Sequence, residues 1–166
     1  NLYIEKCKNI LESGGKIYND SKMAARYYVL QANYSIAQNN INNTEEQIKT
    51  AEEYIERVGI QYSKEKAKDQ IVPLNIVKST IESIKGNQAK AIEYLLEAEE
   101  ICLSKYTTVE LRLFSEVYYN IVKVSLENKD MYMANKYYKM HKDYYGQDDA
   151  MTNKIRDIIS QYELEK

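Results

Sequence analysis

The chain has 166 residues and a mass of 19.5 kDa, the size of one domain or one short repeat array. Its 23 basic and 25 acidic residues give a net charge of -2, so no basic excess favours binding to a nucleic-acid backbone. Hydrophobic residues make up 44% of the chain, with only 1 proline and 5 glycines, which is typical of packed helices and excludes a disordered chain.

Apolar residues recur at a spacing near 3.6 along most of the chain, and this pattern predicts an all-α fold of about eight helices. The first predicted helix covers residues 2–11 and ends at Gly14 and Gly15. The second covers residues 21–38. A capping box of Thr44 and Gln47 opens the third, which Gly59 stops. The inward stripe predicted for the second helix is Met23, Tyr27, Leu30, Tyr34 and Ala37.

The fourth predicted helix covers residues 63–85 and contains Pro73, which predicts either a kink or a late helix start. A fifth helix ends near residue 104, and a second capping box, Thr107 with Glu110, opens the sixth. Asp130 is the expected cap of a seventh helix over 131–145, and Asp148 or Asp149 caps the eighth. Turns this short imply that neighbouring helices run antiparallel.

Overlaying the predicted helix pairs exposes an internal repeat. Large residues spaced by three begin at Tyr27, Leu74 and Tyr118, which are 47 and 44 residues apart. On the second helices, the spacing Ala91-x-x-x-Leu95-x-x-Ala98 matches Ala134-x-x-x-Tyr138-x-x-His141. This arrangement resembles the tetratricopeptide repeat, which carries large residues on its helix A and small residues on its helix B. His141 departs from the family pattern, because an alanine is usual at its position.

The resemblance implies a right-handed superhelix of antiparallel helices, built as a single domain over residues 1–166. Its units are a half repeat, three helix pairs and a capping helix, over residues 1–15, 20–59, 63–104, 107–146 and 149–166. The segment from Tyr137-Tyr138 through Asp149 to residues 161–166 also resembles the end of repeat arrays in Bacteroidetes signalling proteins. The second resemblance implies the sensor part of a bacterial signal-transduction or transcription regulator, in the cytoplasm or the periplasm.

Tetratricopeptide arrays bind extended peptides along a concave face made mainly of the A helices, so the resemblance implies a non-enzymatic domain that binds a peptide or protein. Amide and hydroxyl side chains on that face suit the backbone of an extended peptide, because they supply both donors and acceptors. The binding residues expected from the family pattern are Tyr28, Asn75, Ser79, Glu82, Glu116, Tyr119, Asn120 and Lys123.

Two other functions stay open from the sequence. His141 is a candidate phosphoacceptor for a phosphotransfer module, although the repeat places it in the core. A dimerisation scaffold, with a homodimer formed through Ile155 and Ile158, is the second alternative.

The remaining chemistry-bearing residues predict no site. Cys7 and Cys102 lie far apart and without metal-ligand spacing, so they are interpreted as core residues, and neither a metal nor a cofactor is expected. No apolar run approaches the length of about 20 residues that spans a membrane. Because the chain opens without methionine in the middle of a helical pattern, we expect a piece of a longer protein, and membrane anchoring of that parent stays open.

Overall fold

A computed structural model describes residues 20–165, and within them the chain forms seven α-helices and no strand, which confirms the all-α prediction. The first helix predicted over residues 2–11, its glycine stop and Cys7 lie outside the described residues. The seven helices, in chain order, are α1 (Ser21–Ala37), α2 (Ile41–Gln61), α3 (Lys64–Ile84), α4 (Gln88–Leu103), α5 (Leu111–Glu127), α6 (Met131–Tyr145) and α7 (Ala150–Leu164).

The same tight turn closes three helical hairpins, α1–α2, α3–α4 and α5–α6. In each turn the middle residue has a positive φ, of 56° at Asn39, 83° at Gly86 and 59° at Lys129. The next residue is the N-cap of the following helix, and its amide donates to the carbonyl five residues earlier at 2.8–2.9 Å, as in a Schellman motif. These N-caps, Asn40, Asn87 and Asp130, are therefore equivalent, and they are 47 and 43 residues apart.

The helices form two layers. Among the described elements, α1 contacts α3, α3 contacts α5, and α5 contacts α7. Helices α2, α4 and α6 contact their sequence neighbours and not one another. The odd-numbered helices α1, α3 and α5 thus lie side by side, each with its hairpin partner behind it. The core is built between the two layers, in one cluster around the first hairpin and a larger one around the next two hairpins and α7.

Several predicted helix ends are confirmed. Asp130 caps α6, and its Oδ1 accepts from the Met133 amide at 2.9 Å. Of the two aspartates proposed for the last helix, Asp149 is the cap, with Oδ2 bonded to the amides of Met151 and Thr152. Hydrogen bonds within a short segment define these helix ends, so the type of the capping residue is enough to predict them.

Both predicted capping boxes are wrong. Helix α2 begins at Ile41 behind Asn40, and Thr44 is fully buried inside it with its hydroxyl donating to the Asn40 carbonyl at 2.8 Å. Helix α5 begins at Leu111 with Glu110 as its N-cap, while the Thr107 hydroxyl donates to the Asp69 carboxylate at 3.1 Å. In each case the threonine has a tertiary partner or a core position that competes with the capping role.

Neither Gly59 nor Pro73 sets the end of its helix. Helix α2 runs past Gly59 to Gln61, because one glycine costs a helix only about 1 kcal/mol. Helix α3 begins at Lys64 and continues through Pro73, so of the two alternatives predicted there, a kink or a late start, the late start is wrong. The proline leaves the Asp69 carbonyl without its usual helical donor.

The stripe predicted to be buried on the first hairpin is also wrong. Met23 and Leu30 are 42% and 44% exposed. The core side of α1 instead carries small residues, which permit close approach to α2. Its buried residues are Ser21, Ala24, Ala25, Val29, Ala32 and Ser35. The larger apolar residues of the predicted stripe therefore lie mainly outside the core.

Candidate functional site

The hairpin turns fix which face each odd-numbered helix turns to its partner. Tyr28, Asn75 and Tyr118 each lie twelve residues before an N-cap, and each packs on the even-numbered helix of its own hairpin. The Tyr28 ring stacks on Tyr54 with centroids 5.6 Å apart, and Tyr118 lies 5.5 Å from Tyr137.

Asn75 makes the corresponding contact in the second hairpin. Its Nδ2 donates to the Tyr94 carbonyl at 3.1 Å and to Glu97 Oε2 at 2.8 Å, and the residue is 1% exposed. Tyr28 and Asn75, both predicted to bind a peptide, thus join the two layers. The correction has a physical reason: this repeat position faces the partner helix in all three hairpins.

The residues fourteen positions before each N-cap lie on the opposite side of their helices, away from the hairpin partner. These are Arg26, Pro73 and Glu116, which come from three different helices and line one cavity. A second cavity lies farther along α3 and α5. We call the surface that carries both cavities the odd-helix groove. Glu116 in the first cavity and Asn120 in the second are one helical turn apart on α5, and Asn120 Nδ2 donates to the Glu116 carbonyl at 2.8 Å.

The first cavity, here the three-helix cavity, has a volume of about 340 Å³ between α1, α3 and the start of α5. Its apolar wall comes from Leu30, Pro73, Val109 and Leu113. Its polar rim comes from Lys22, Arg26, Glu110, Arg112 and Glu116. Across the rim, Arg26 Nε donates to Gln70 Oε1 at 3.3 Å, and Arg112 Nε lies 3.4 Å from Glu116 Oε1. The cavity therefore combines an apolar wall with fixed charges.

The second cavity, here the two-helix cavity, has a volume of about 180 Å³ between α3 and α5. Hydroxyl and amide groups dominate its lining, with Ser79, Thr80, Ser83 and Asn120 among them. The Ser83 hydroxyl donates to the Glu127 carboxylate, which joins the two helices at this end. Donors and acceptors of this kind suit the backbone of a bound peptide.

Four of the eight residues predicted to bind a peptide line the groove. Ser79, Asn120 and Lys123 lie in the two-helix cavity, and Glu116 lies in the three-helix cavity. Sequence reasoning missed Arg26, Gln70, Pro73, Thr80 and Leu113. The signal that finds them is the turn: counted back from each N-cap, Arg26, Pro73 and Glu116 share a position, and so do Gln70 and Leu113.

Besides Tyr28 and Asn75, which join the two layers, Glu82 and Tyr119 also lie outside both cavities. Glu82 lies at the closed end of the second hairpin, where its carboxylate accepts from Asn87 Nδ2 at 2.8 Å and is 3.7 Å from Lys85. Tyr119 turns toward α7, with Lys154 Nζ 4.2 Å from its ring centroid. Both side chains are engaged with neighbouring helices or turns, so their placement differs from the expected binding face.

His141 is fully buried between α5, α6 and α7, as the core interpretation predicted. Its Nε2 is 2.6 Å from the Ser115 hydroxyl and its Nδ1 is 2.8 Å from the Thr152 hydroxyl. The ring also stacks on Tyr145 at 4.4 Å between centroids. Burial lowers the pKa of His141 below its usual 6.5, and the nearby Asp149 opposes that shift. With both nitrogens bonded inside the core, the imidazole has no open face for phosphoryl transfer.

Other candidate groups are part of the packing. Cys102 is buried, which raises the pKa of its thiol to about 12. Ile155 is fully buried and Ile158 packs on the same core, so the stripe predicted for a dimer contact is largely used within the chain. Within residues 20–165, no three acidic, histidine or cysteine side chains are grouped to hold a metal ion, and no helix is long and apolar enough to cross a membrane.

Comparison of the chain with protein-family models, with curated proteins and with solved structures gives no match.

Proposed function

We propose that the chain is a non-enzymatic domain that binds an extended peptide or protein segment in the odd-helix groove. The observation that carries the proposal is the shared lining of the three-helix cavity. Arg26, Pro73 and Glu116 occupy one repeat position on the odd-numbered helices α1, α3 and α5, and all three line one cavity. An extended segment crossing the helices would meet an equivalent position at each of them.

The chemistry of the groove supports a peptide ligand. A peptide backbone requires both donors and acceptors, and the two-helix cavity presents the Thr80 hydroxyl oxygen, whose proton is donated to the Ile76 carbonyl, and the Asn120 amide, which keeps its oxygen and a second N–H after bonding to Glu116. The three-helix cavity adds an apolar wall for a side chain. Main-chain hydrogen bonds supply affinity in such complexes, while side-chain cavities supply selectivity.

The resemblance to the tetratricopeptide repeat supports the same proposal. Three hairpins with equivalent turns, side-by-side odd-numbered helices and a final packed helix fit the arrangement that the family implies. The resemblance to bacterial signalling proteins supports the proposal that this chain is the sensor or interaction part of a regulator. In such a role, a ligand that spans several helices would shift the array between arrangements and move α7.

The proposal is tested by selecting peptides from a random displayed library on the parent chain and then measuring their affinity. Lys123→Glu reverses a charge in the two-helix cavity, and the matched control Lys139→Glu makes the same change at an exposed position on α6. We expect Lys123→Glu to change the affinity of selected peptides while Lys139→Glu leaves it unchanged. Failure of the parent to enrich any peptide, or equal effects of both variants, would reject the groove as the binding site.

A further inference from the structure

Pro73 removes one hydrogen-bond donor from the backbone carbonyl of Asp69, a residue that lines the three-helix cavity. A proline has no N–H, so the Asp69 carbonyl, four residues earlier in α3, has no donor from that position. Asp69 and Pro73 both line the cavity. The Asp69 carboxylate is already engaged by the Thr107 hydroxyl at 3.1 Å and the Thr108 amide at 3.1 Å. The backbone carbonyl is therefore the group at this residue that suits an N–H from a bound chain.

The cavity rim carries charges of both signs, with Lys22 and Arg26 on α1 and with Glu110, Arg112 and Glu116 around the start of α5, so its α1 side is the positive one. Among the described residues, no carboxylate lies within salt-bridge distance of Lys22 or Arg26, whereas Glu116 on α5 is paired with Arg112. Gln70 holds Arg26 by its Nε at 3.3 Å. Because a guanidinium has five N–H donors in a fixed plane, its two terminal nitrogens remain suited to a bidentate carboxylate contact.

An apolar surface lies next to this cation. Leu30 is 44% exposed one turn along α1 from Arg26, and Leu113 and the Pro73 ring complete the wall. The cavity volume of about 340 Å³ leaves room for a branched aliphatic side chain. A carboxylate on Arg26 and an aliphatic group on this wall would lie close together in one ligand.

We propose that the three-helix cavity selects an extended peptide segment that carries an acidic residue beside an aliphatic one. The acidic side chain pairs with Arg26, the aliphatic side chain contacts Leu30, Pro73 and Leu113, and a backbone N–H of the segment donates to the Asp69 carbonyl. This inference rests on the proposed function, since it names the kind of segment that the odd-helix groove binds.

The test compares the peptide preferences of variants. Random segments are displayed between fixed flanking sequences, so that no free C-terminal carboxylate is offered, and are selected on the parent, Arg26→Gln, Leu30→Ser and the control Lys139→Gln. We expect the parent and the control to enrich acidic–aliphatic segments. Arg26→Gln loses the acidic preference and keeps the aliphatic one, and Leu30→Ser does the reverse. Both residues are exposed, so these variants are expected to fold.

The Asp69 carbonyl is tested with one selected peptide, labelled and titrated by fluorescence anisotropy. Pro73→Val supplies the missing N–H to that carbonyl and keeps an apolar side chain on the cavity wall, so binding weakens by about fivefold, and Arg26→Gln weakens it by about tenfold. Enrichment of peptides without an acidic residue, or an unchanged preference in Arg26→Gln, overturns the inference and leaves the proposed function intact. An unchanged affinity in Pro73→Val overturns the carbonyl contact. If the parent enriches nothing, both proposals fail.

Discussion

Acidification should destabilise the chain through His141, the one histidine in the sequence. Burial lowers the pKa of His141 in the folded state, so below about pH 6.5 the unfolded chain binds a proton that the folded chain resists. The free energy of unfolding therefore falls as the pH falls. If the folded ring takes up no proton, the loss between about pH 7.5 and about pH 5.5 is about 1.4 kcal/mol, which is the upper bound.

The assay is urea unfolding of the parent and of His141→Gln at both pH values. Glutamine does not titrate, and its amide offers a donor and an acceptor to the Ser115 and Thr152 hydroxyls. The variant is expected to be less stable than the parent at the higher pH. Its stability should change less with pH, because every other titrating group is common to both chains. Equal pH slopes in the two chains would refute the buried, neutral imidazole.

Three further predictions concern packing and turns, each read from the free energy of unfolding in urea. Tyr118→Ala should cost about 3–5 kcal/mol, since it removes a ring packed on Phe114 and Tyr137, and an unchanged midpoint would put this ring outside the core. Ala134→Leu should cost about 1–3 kcal/mol by overpacking a fully buried position, and a neutral result would show room there. Gly86→Ala should cost about 1 kcal/mol because φ is 83°, whereas Lys129→Gly at the equivalent position should not; equal losses would contradict the turn geometry.

Local chemistry made the helices largely predictable from the sequence. The sequence identifies Asp130 as a cap and reduces the choice for the last helix to Asp148 or Asp149, because a cap bonds to amides two or three residues away, all within one short segment. Thr107 and Gln47 show where that reasoning fails. Thr107 bonds to Asp69 across 38 residues, and Gln47 accepts from the Ser35 hydroxyl of the preceding helix. A capping pattern cannot reveal that its residues have tertiary partners.

The candidate site was less predictable, because it depends on which face each helix turns outward. Counting from Tyr27, Leu74 and Tyr118 gives a final interval of 44 residues, whereas the N-caps give 43. One residue on a helix is a rotation of about 100°. That shift places Tyr119 one position out of register with Tyr28 and Asn75. Asn75 and Pro73 are two residues apart, a rotation of about 200°, so the buried Asn75 and the groove-lining Pro73 lie on opposite sides of α3. The turns therefore define the register better than the large residues do.

Packing explains why apolar spacing alone misassigned α1. Its core face consists of residues as small as Ala25 and Ala32, and Met23 and Leu30 lie more than 40% exposed. Leu30 lines the three-helix cavity, and Met23 shares its repeat position with Gln70 and Leu113, which line the same cavity. A stripe at helical spacing therefore marks either a core or an exposed groove. The even-numbered helices show the contrasting case. Thr44, Ala91 and Ala134 share a position, and all three are fully buried.

Residue size is restricted at the buried positions between the two helix layers, and it varies at the positions that line the odd-helix groove. At the position shared by Arg26, Pro73 and Glu116, three helices of the same geometry carry a cation, an imino acid and an anion. No common packing requirement accounts for that set, because these side chains line a cavity and not the interface between layers. Under the proposed function, substitution at these positions would change the ligand while the turns, caps and core stay the same. If the groove binds a peptide as proposed, its selectivity is expected to depend on this position more than on the buried tyrosines Tyr118 and Tyr137.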